Sequence, residues 1–86
     1  MKISVELTLS PLQSDFEPPI IHLIKKLRSS GFVVLENPLS TQVYGEYDKV
    51  MQVLTTEIKD VFEQIENGLI YIKIVKSDRH AYEPHF

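Results

Sequence analysis

Nine residues near the N-terminus, Lys2-Ile3-Ser4-Val5-Glu6-Leu7-Thr8-Leu9-Ser10, alternate polar and apolar without a break. Successive side chains of a β-strand point to opposite faces, so this period of two describes a half-buried strand. Ile3, Val5, Leu7 and Leu9 line one face; Lys2, Ser4, Glu6, Thr8 and Ser10 line the other. A strand with one apolar face needs partner strands beside it and a covering layer on one side only. Pro11, which lacks an N–H to donate, ends the pattern.

Residues 14–31 read as a helical region. Ser14 and Glu17 have capping-box spacing. Pro18-Pro19 is tolerated only in a first turn, so the regular helix is expected from about Pro19, with 12–18 as a lead-in loop. Ile20, Leu23, Ile24 and Leu27 form its apolar stripe, and Ser30-Gly31 closes it. Residues 32–36 read as a second strand, Asn37-Pro38 as a bend, and 40–46 as a third strand antiparallel to the second. Asp48 has the chemistry to cap a second helix running to about Glu66, with the stripe Met51, Leu54, Ile58, Val61, Phe62 and Ile65. Asn67-Gly68 stops that helix, 69–76 is a fourth strand, and 77–86 is a polar and aromatic arm.

The order β-α-β-β-α-β is that of the split βαβ, the ferredoxin-like α+β sandwich. Right-handed crossovers place both helices on one sheet face and give the strand order 4-1-3-2, antiparallel throughout. Eighty-six residues make one domain, 1–86, close to the lower limit for a self-sufficient core. Association with further copies, as a homodimer or homotetramer, is a common way for so short a chain to bury more apolar surface.

This topology makes strands 1 and 3 the central pair. The end of strand 1 (Leu9, Ser10) therefore lies beside the start of strand 3 (Ser40, Thr41). If Val43 points into the core, so does Thr41, which puts its hydroxyl at the rim between sheet and helices. Phe16, Ile20, Phe62 and Ile65 are available as walls. An apolar slot with a few placed polar groups suits a small aromatic heterocycle. A threonine at such a position either bonds nearby backbone or is offered to a ligand. The opposite sheet face carries Ser4, Glu6, Thr8, Tyr44, Tyr71 and Lys73, with Phe32, Val34 and Val75 as apolar additions that depend on register. That mixture fits a subunit interface, and Glu6 with Lys73 reads as a structural ion pair. Asp78-Arg79 reads as an interface ion pair.

Net charge is −3, without a basic block, which argues against nucleic acid as a partner. Strands 1 and 3 lack the stacking aromatics of an RNA-recognition domain, and the loop after strand 1 lacks the arginine an acylphosphatase needs. With no cysteine, disulfides, thiolate chemistry and cysteine-based zinc sites are excluded. His80 and His85 read as a solvated tail rather than a metal site, and His22 as lying on the outer side of its helix. No nucleophile elbow, phosphate loop or zinc-protease motif is present. No apolar run is long enough to cross a membrane and no signal-peptide core is seen. The expectation is a cytoplasmic, non-enzymatic protein without cofactor or catalytic residues.

Four short features recur in a known order: Leu9-Ser10-Pro11-Leu12 at the end of strand 1, Ser40-Thr41 at the start of strand 3, Gly45-Glu46 followed by Asp48-x-Val50, and the Lys73-to-Arg79 finish. With this order and spacing the chain resembles the thiamine-binding, YkoF-like family of small ferredoxin-like proteins. The resemblance implies binding of thiamine or its hydroxymethylpyrimidine moiety, in thiamine salvage or transport, by dimers or tetramers. It implies ligand contact at Thr41 and at the strand end around Leu9. An oligomeric assembly module without a small ligand is the alternative.

Overall fold

The computed structural model covers Met1 to Phe86. Its elements are β1 (Lys2–Pro11), α1 (Glu17–Arg28), β2 (Val33–Glu36), β3 (Thr41–Glu46), α2 (Tyr47–Gln64) and β4 (Gly68–Val75). They form one four-stranded sheet in the order β2-β3-β1-β4, and every neighbouring pair is antiparallel. This is the expected ferredoxin-like arrangement.

The alternating strand is the centre of the molecule. β1 pairs with β3 over Lys2↔Glu46 to Leu7↔Thr41, and with β4 over Ser4↔Val75 to Pro11↔Gly68. Pro11 is thus the last paired residue rather than the first beyond the strand. Ile3, Val5, Leu7 and Leu9 are all buried and meet Val43 from β3, Leu23 and Leu27 from α1, and Val50, Leu54 and Val61 from α2. Burying these side chains stabilises the fold by about 1.5–3 kcal/mol each before entropy is counted.

Several local expectations shift, each for a physical reason. Helix α1 begins at Glu17, so Pro18 and Pro19 both fall in the first turn, where a missing N–H costs nothing. No side chain caps that end, so the Ser14/Glu17 capping box does not form. Asp48 does not cap α2; Glu46 occupies that position, and Asp48 sits in the first turn, where its charge complements the helix dipole. That helix ends at Gln64, leaving Ile65 just outside it in extended backbone. Val50 lies deeper than Met51, and Phe62 is 40% exposed, so the buried stripe is rotated from the one expected.

In β2, Val34 faces Val43 and packs on the core with Phe32, whereas Val33 and Leu35 pair with Tyr44 and Gln42 on the outer face. The apolar additions to that face are therefore Val75, as expected, with Val33 and Leu35 in place of Phe32 and Val34. The arm after β4 folds back over it. Ser4 Oγ donates to the Ser77 carbonyl at 2.6 Å and accepts from the Arg79 N–H at 2.9 Å, and the His80 ring lies 5.9 Å from that of Tyr44. Asp78 and Arg79 do not pair with each other: Asp78 holds His80 and Arg79 reaches Ser77 Oγ.

Candidate functional site

The rim where β1 and β3 part company is open. β3 begins at Thr41, opposite Leu7, while β1 continues for four further residues with only β4 beside it. The gap left by β3 is bounded by the β2–β3 connection, residues 37–40, and by one side of α1. The result is a cleft of about 150 Å³ lined by Leu7, Thr8, Leu9, Ile20, Leu23, Ile24, Asn37, Pro38, Leu39, Ser40 and Thr41.

The connection is held by its asparagine. Asn37 Oδ1 accepts the N–H groups of Leu39 and Ser40 at 2.8 and 2.9 Å, and the Asn37 N–H donates to the Ser40 carbonyl at 3.1 Å. This Asx turn commits the oxygen of the amide and leaves Asn37 Nδ2 without a partner in the chain. Thr8 Oγ1 donates to the Leu39 carbonyl at 3.1 Å, which pins the connection to the central strand.

The remaining polar groups of the cleft separate by parity. Ser40 lies on the outer-face row: its hydroxyl donates to Glu6 Oε2 at 3.0 Å and accepts from Gln42 Nε2 at 3.0 Å. Glu6 in turn stands 3.7 Å from Lys73, an exposed ion pair of small energetic weight. Thr41 lies on the inner row and only 7% of its surface is exposed. Its Oγ1 forms no hydrogen bond within the chain, yet no side-chain oxygen or nitrogen is sealed away from solvent without a partner. The Thr41 hydroxyl is therefore an unengaged donor and acceptor that reaches the cleft.

Of the six residues expected at this rim, Leu9, Ile20, Ser40 and Thr41 line the cleft. Ser10 does not; it pairs with Leu69 and continues the outer row. Phe16 does not either: it precedes the first turn of α1 and is 51% exposed. Nor do Phe62 and Ile65 serve as walls. Phe62 lines a separate open groove with Met51, Leu54, Ile58 and Ile72, and the Ile65 side chain lies against Gly68. Asn37, Pro38 and Leu39 are cleft residues that the strand-parity reading passed over. The signal for them was the Asn-Pro pair, a turn former placed immediately before the threonine.

No charged or imidazole side chain lines the cleft. The carboxylates held below their ordinary range lie elsewhere: Glu36 under a two-pronged hydrogen bond from Arg28, Glu46 beside the N-terminal ammonium, Asp60 beside His22 and Asp78 beside His80. His22 does not point away from the molecule as expected but crosses to α2, with Nε2 2.8 Å from Asp60 Oδ2.

No protein-family profile and no curated protein matches the sequence. Solved structures do. A Streptococcus pneumoniae protein superposes with a TM-score of 0.84 at 25% identity, over 91% of this chain and 89% of its own. A Thermotoga maritima protein described as a candidate for thiamine biosynthesis or salvage gives 0.81 at 20% identity, over 90% and 85%. A domain of unknown function, DUF77, from Bacillus cereus gives 0.77 at 17% identity, over 91% and 78%. No helix here is long and apolar enough to cross a membrane. These likenesses show the architecture: the chain carries the same small ferredoxin-like unit, near full length, as a set of microbial proteins of which one is linked to thiamine.

Proposed function

We propose that the chain binds the hydroxymethylpyrimidine moiety of thiamine, free or as part of thiamine, without chemical turnover. The single observation that carries this reading is the unengaged Thr41 hydroxyl in an otherwise apolar cleft between Leu9 and α1. A cavity of about 150 Å³ with apolar walls is of the size that admits one benzene-like ring, and the volume here is about 150 Å³. Pockets that bury a whole drug-sized ligand run from about 300 Å³ upward. The cleft therefore takes one ring, and the rest of thiamine would lie outside its mouth.

An aminopyrimidine offers ring nitrogens that accept and an exocyclic amine that donates. Thr41 Oγ1 can answer either need and Asn37 Nδ2 is a free donor, while Leu9, Leu23 and Ile20 supply apolar contact. Affinity then comes from burying the ring and orientation from the two polar groups. The absence of any acid, base or imidazole among the lining residues supports binding without catalysis. The thiamine-linked Thermotoga protein of the same architecture is consistent with this ligand class.

The test is Thr41→Val, which keeps the shape and removes the hydroxyl. Calorimetric affinity for hydroxymethylpyrimidine should fall by about 1–3 kcal/mol, roughly 5- to 150-fold, with unchanged circular dichroism. Equal affinity for the two proteins removes Thr41 from the site. No binding of hydroxymethylpyrimidine or thiamine to the unmutated chain removes the reading altogether.

A specific observation favours a second reading, an assembly module. The outer sheet face exposes Val33, Leu35 and Tyr71 at 44, 43 and 65% beside a mixed polar row. Apart from the arm over Ser4 and Tyr44, this face has no covering layer within the chain, and a second copy would supply one.

A further inference from the structure

Away from the cleft, the two helices bring three metal-ligating side chains together. His22 projects from α1 and Glu57 and Asp60 from α2, and one potential ligand atom of each lies within 4.8 Å of the others. Glu57 and Asp60 are three apart, which places them on one helical face, one turn above the other. His22 reaches Asp60 from the facing helix at 2.8 Å. Gln64, one turn further on, donates to Asp60 Oδ2 at 3.2 Å.

Two features separate this cluster from an ordinary exposed ion pair. First, the Glu57 carboxylate forms no hydrogen bond or ion pair with any other residue, although it converges on a histidine and a second carboxylate. Two negative groups thus share one imidazole and an uncharged amide, with Lys26 as the nearby cation acting on Asp60. Second, the donors come from two different elements and all three are only half-exposed. Ligand atoms around a tetrahedral zinc ion stand about 3.3 Å apart, given zinc–ligand distances near 2.0–2.1 Å. Small rotamer changes bring a set already within 4.8 Å to that spacing.

We propose that His22, Glu57 and Asp60 form a binding site for a divalent transition-metal ion, with zinc as the best match, that clamps α1 to α2. One nitrogen and two carboxylate oxygens are a donor set for zinc and its neighbours rather than for calcium or magnesium, which take oxygen alone. The imidazole ligates through the nitrogen that otherwise donates to Asp60, its proton passing to the other ring nitrogen or to solvent. Gln64 orients Asp60 from outside the coordination shell. Three protein ligands leave at least one position on the ion for water or for a donor atom of another molecule.

The experiment is calorimetric and thermal titration of the metal-stripped protein with zinc chloride, then with magnesium chloride. The expected result is one zinc ion per chain, a rise in Tm reversed by a chelator, and no response to magnesium. His22→Ala and Asp60→Asn should each weaken zinc binding at least tenfold and abolish the Tm rise, and Glu57→Gln should weaken it less. His80→Ala should leave it unchanged. Zinc binding that survives His22→Ala, or that is lost with His80→Ala, overturns the proposal, as does no binding at all. Circular dichroism and the metal-free Tm of each variant show whether it is folded, and Glu57→Gln, which removes no contact within the chain, provides the reading should His22→Ala fail to fold.

Discussion

At the scale of single residues, two positions show what parity can and cannot deliver. Thr41 follows from counting: Val43 belongs in the core, so the residue two before it does as well, and the structure buries both. Phe16 did not follow, because its placement depends on where α1 starts. Pro18-Pro19 points to a start near Pro19, whereas α1 starts at Glu17, and this earlier start leaves Phe16 in solvent. Gly45 shows a different limit. Its place near the end of β3 gives no sign of the steric need that the structure shows. A Cβ there would lie 2.8 Å from Phe32 Cδ1 and 3.0 Å from Val50 Cγ2. Phe32 is packed on the core and has little freedom to withdraw. Gly45→Ala should therefore cost about 1–3 kcal/mol of unfolding free energy, read as a lower urea midpoint. Phe32→Leu in the same chain should recover part of that loss, since the ring is what the new methyl meets. If Gly45→Ala unfolds at the same midpoint as the unmutated protein, the contact is not restrictive.

At the scale of elements, boundaries were legible to within two residues, whereas the couplings between elements were not. Periodicity located every strand and helix because it depends only on which face is buried. Which residue of one element reaches another depends on helix rotation and strand register, which no local pattern encodes. Arg28 and Glu36 illustrate this. The end of α1 and the end of β2 are joined through Arg28 Nε and Nη2, each 2.6 Å from a Glu36 oxygen. That two-pronged bond, with the guanidinium charge behind it, holds the Glu36 carboxyl below its ordinary range. Asp60 and Asp78 are lowered in the same direction by their histidine partners. A carboxyl with a depressed folded-state pKa binds fewer protons folded than unfolded. Its contribution is fully present above the unfolded value and is lost as pH falls through the folded one. Stability should accordingly decline on acidification below about pH 5 and continue falling towards about pH 2. Glu36→Gln should flatten part of that decline in urea midpoints recorded across the range, by a small amount because the pair is exposed. An identical slope for the variant would show that the Arg28 bond contributes nothing to it.

At the scale of the whole molecule, the decisive feature is how little of it is inside. Fifteen of 86 residues are buried, and the accessible surface is 6028 Å². A compact monomer of 9.9 kDa is expected to expose about 5,200 Å². The excess, roughly 800 Å², is close to what one partner contributes to a standard protein interface. The dimensions of 42 × 29 × 19 Å describe a slab, two layers thick, with helices on one side and an uncovered sheet on the other. The arm from Ser77 to His80 lies on the Ser4 and Tyr44 row of that sheet. Val33, beside Tyr44 on the edge strand, and Leu35, in the next outer row beside Gln42, remain exposed. Composition hinted at this, since a chain so short has few apolar residues to spare for two faces, but only the register of β2 identifies which ones are left outside. The chain is therefore expected to sediment as a dimer or larger at micromolar concentration, through the outer face of the sheet. Leu35→Lys replaces one of these exposed apolar side chains with a charge and should shift the mass to that of one chain. It should do so without lowering the affinity of the cleft for a pyrimidine, because Leu35 points to the opposite side of the sheet from Thr41. A monomeric unmutated protein would show that the uncovered face is simply solvated. A variant that loses both association and ligand would show instead that the cleft is formed only within the assembly.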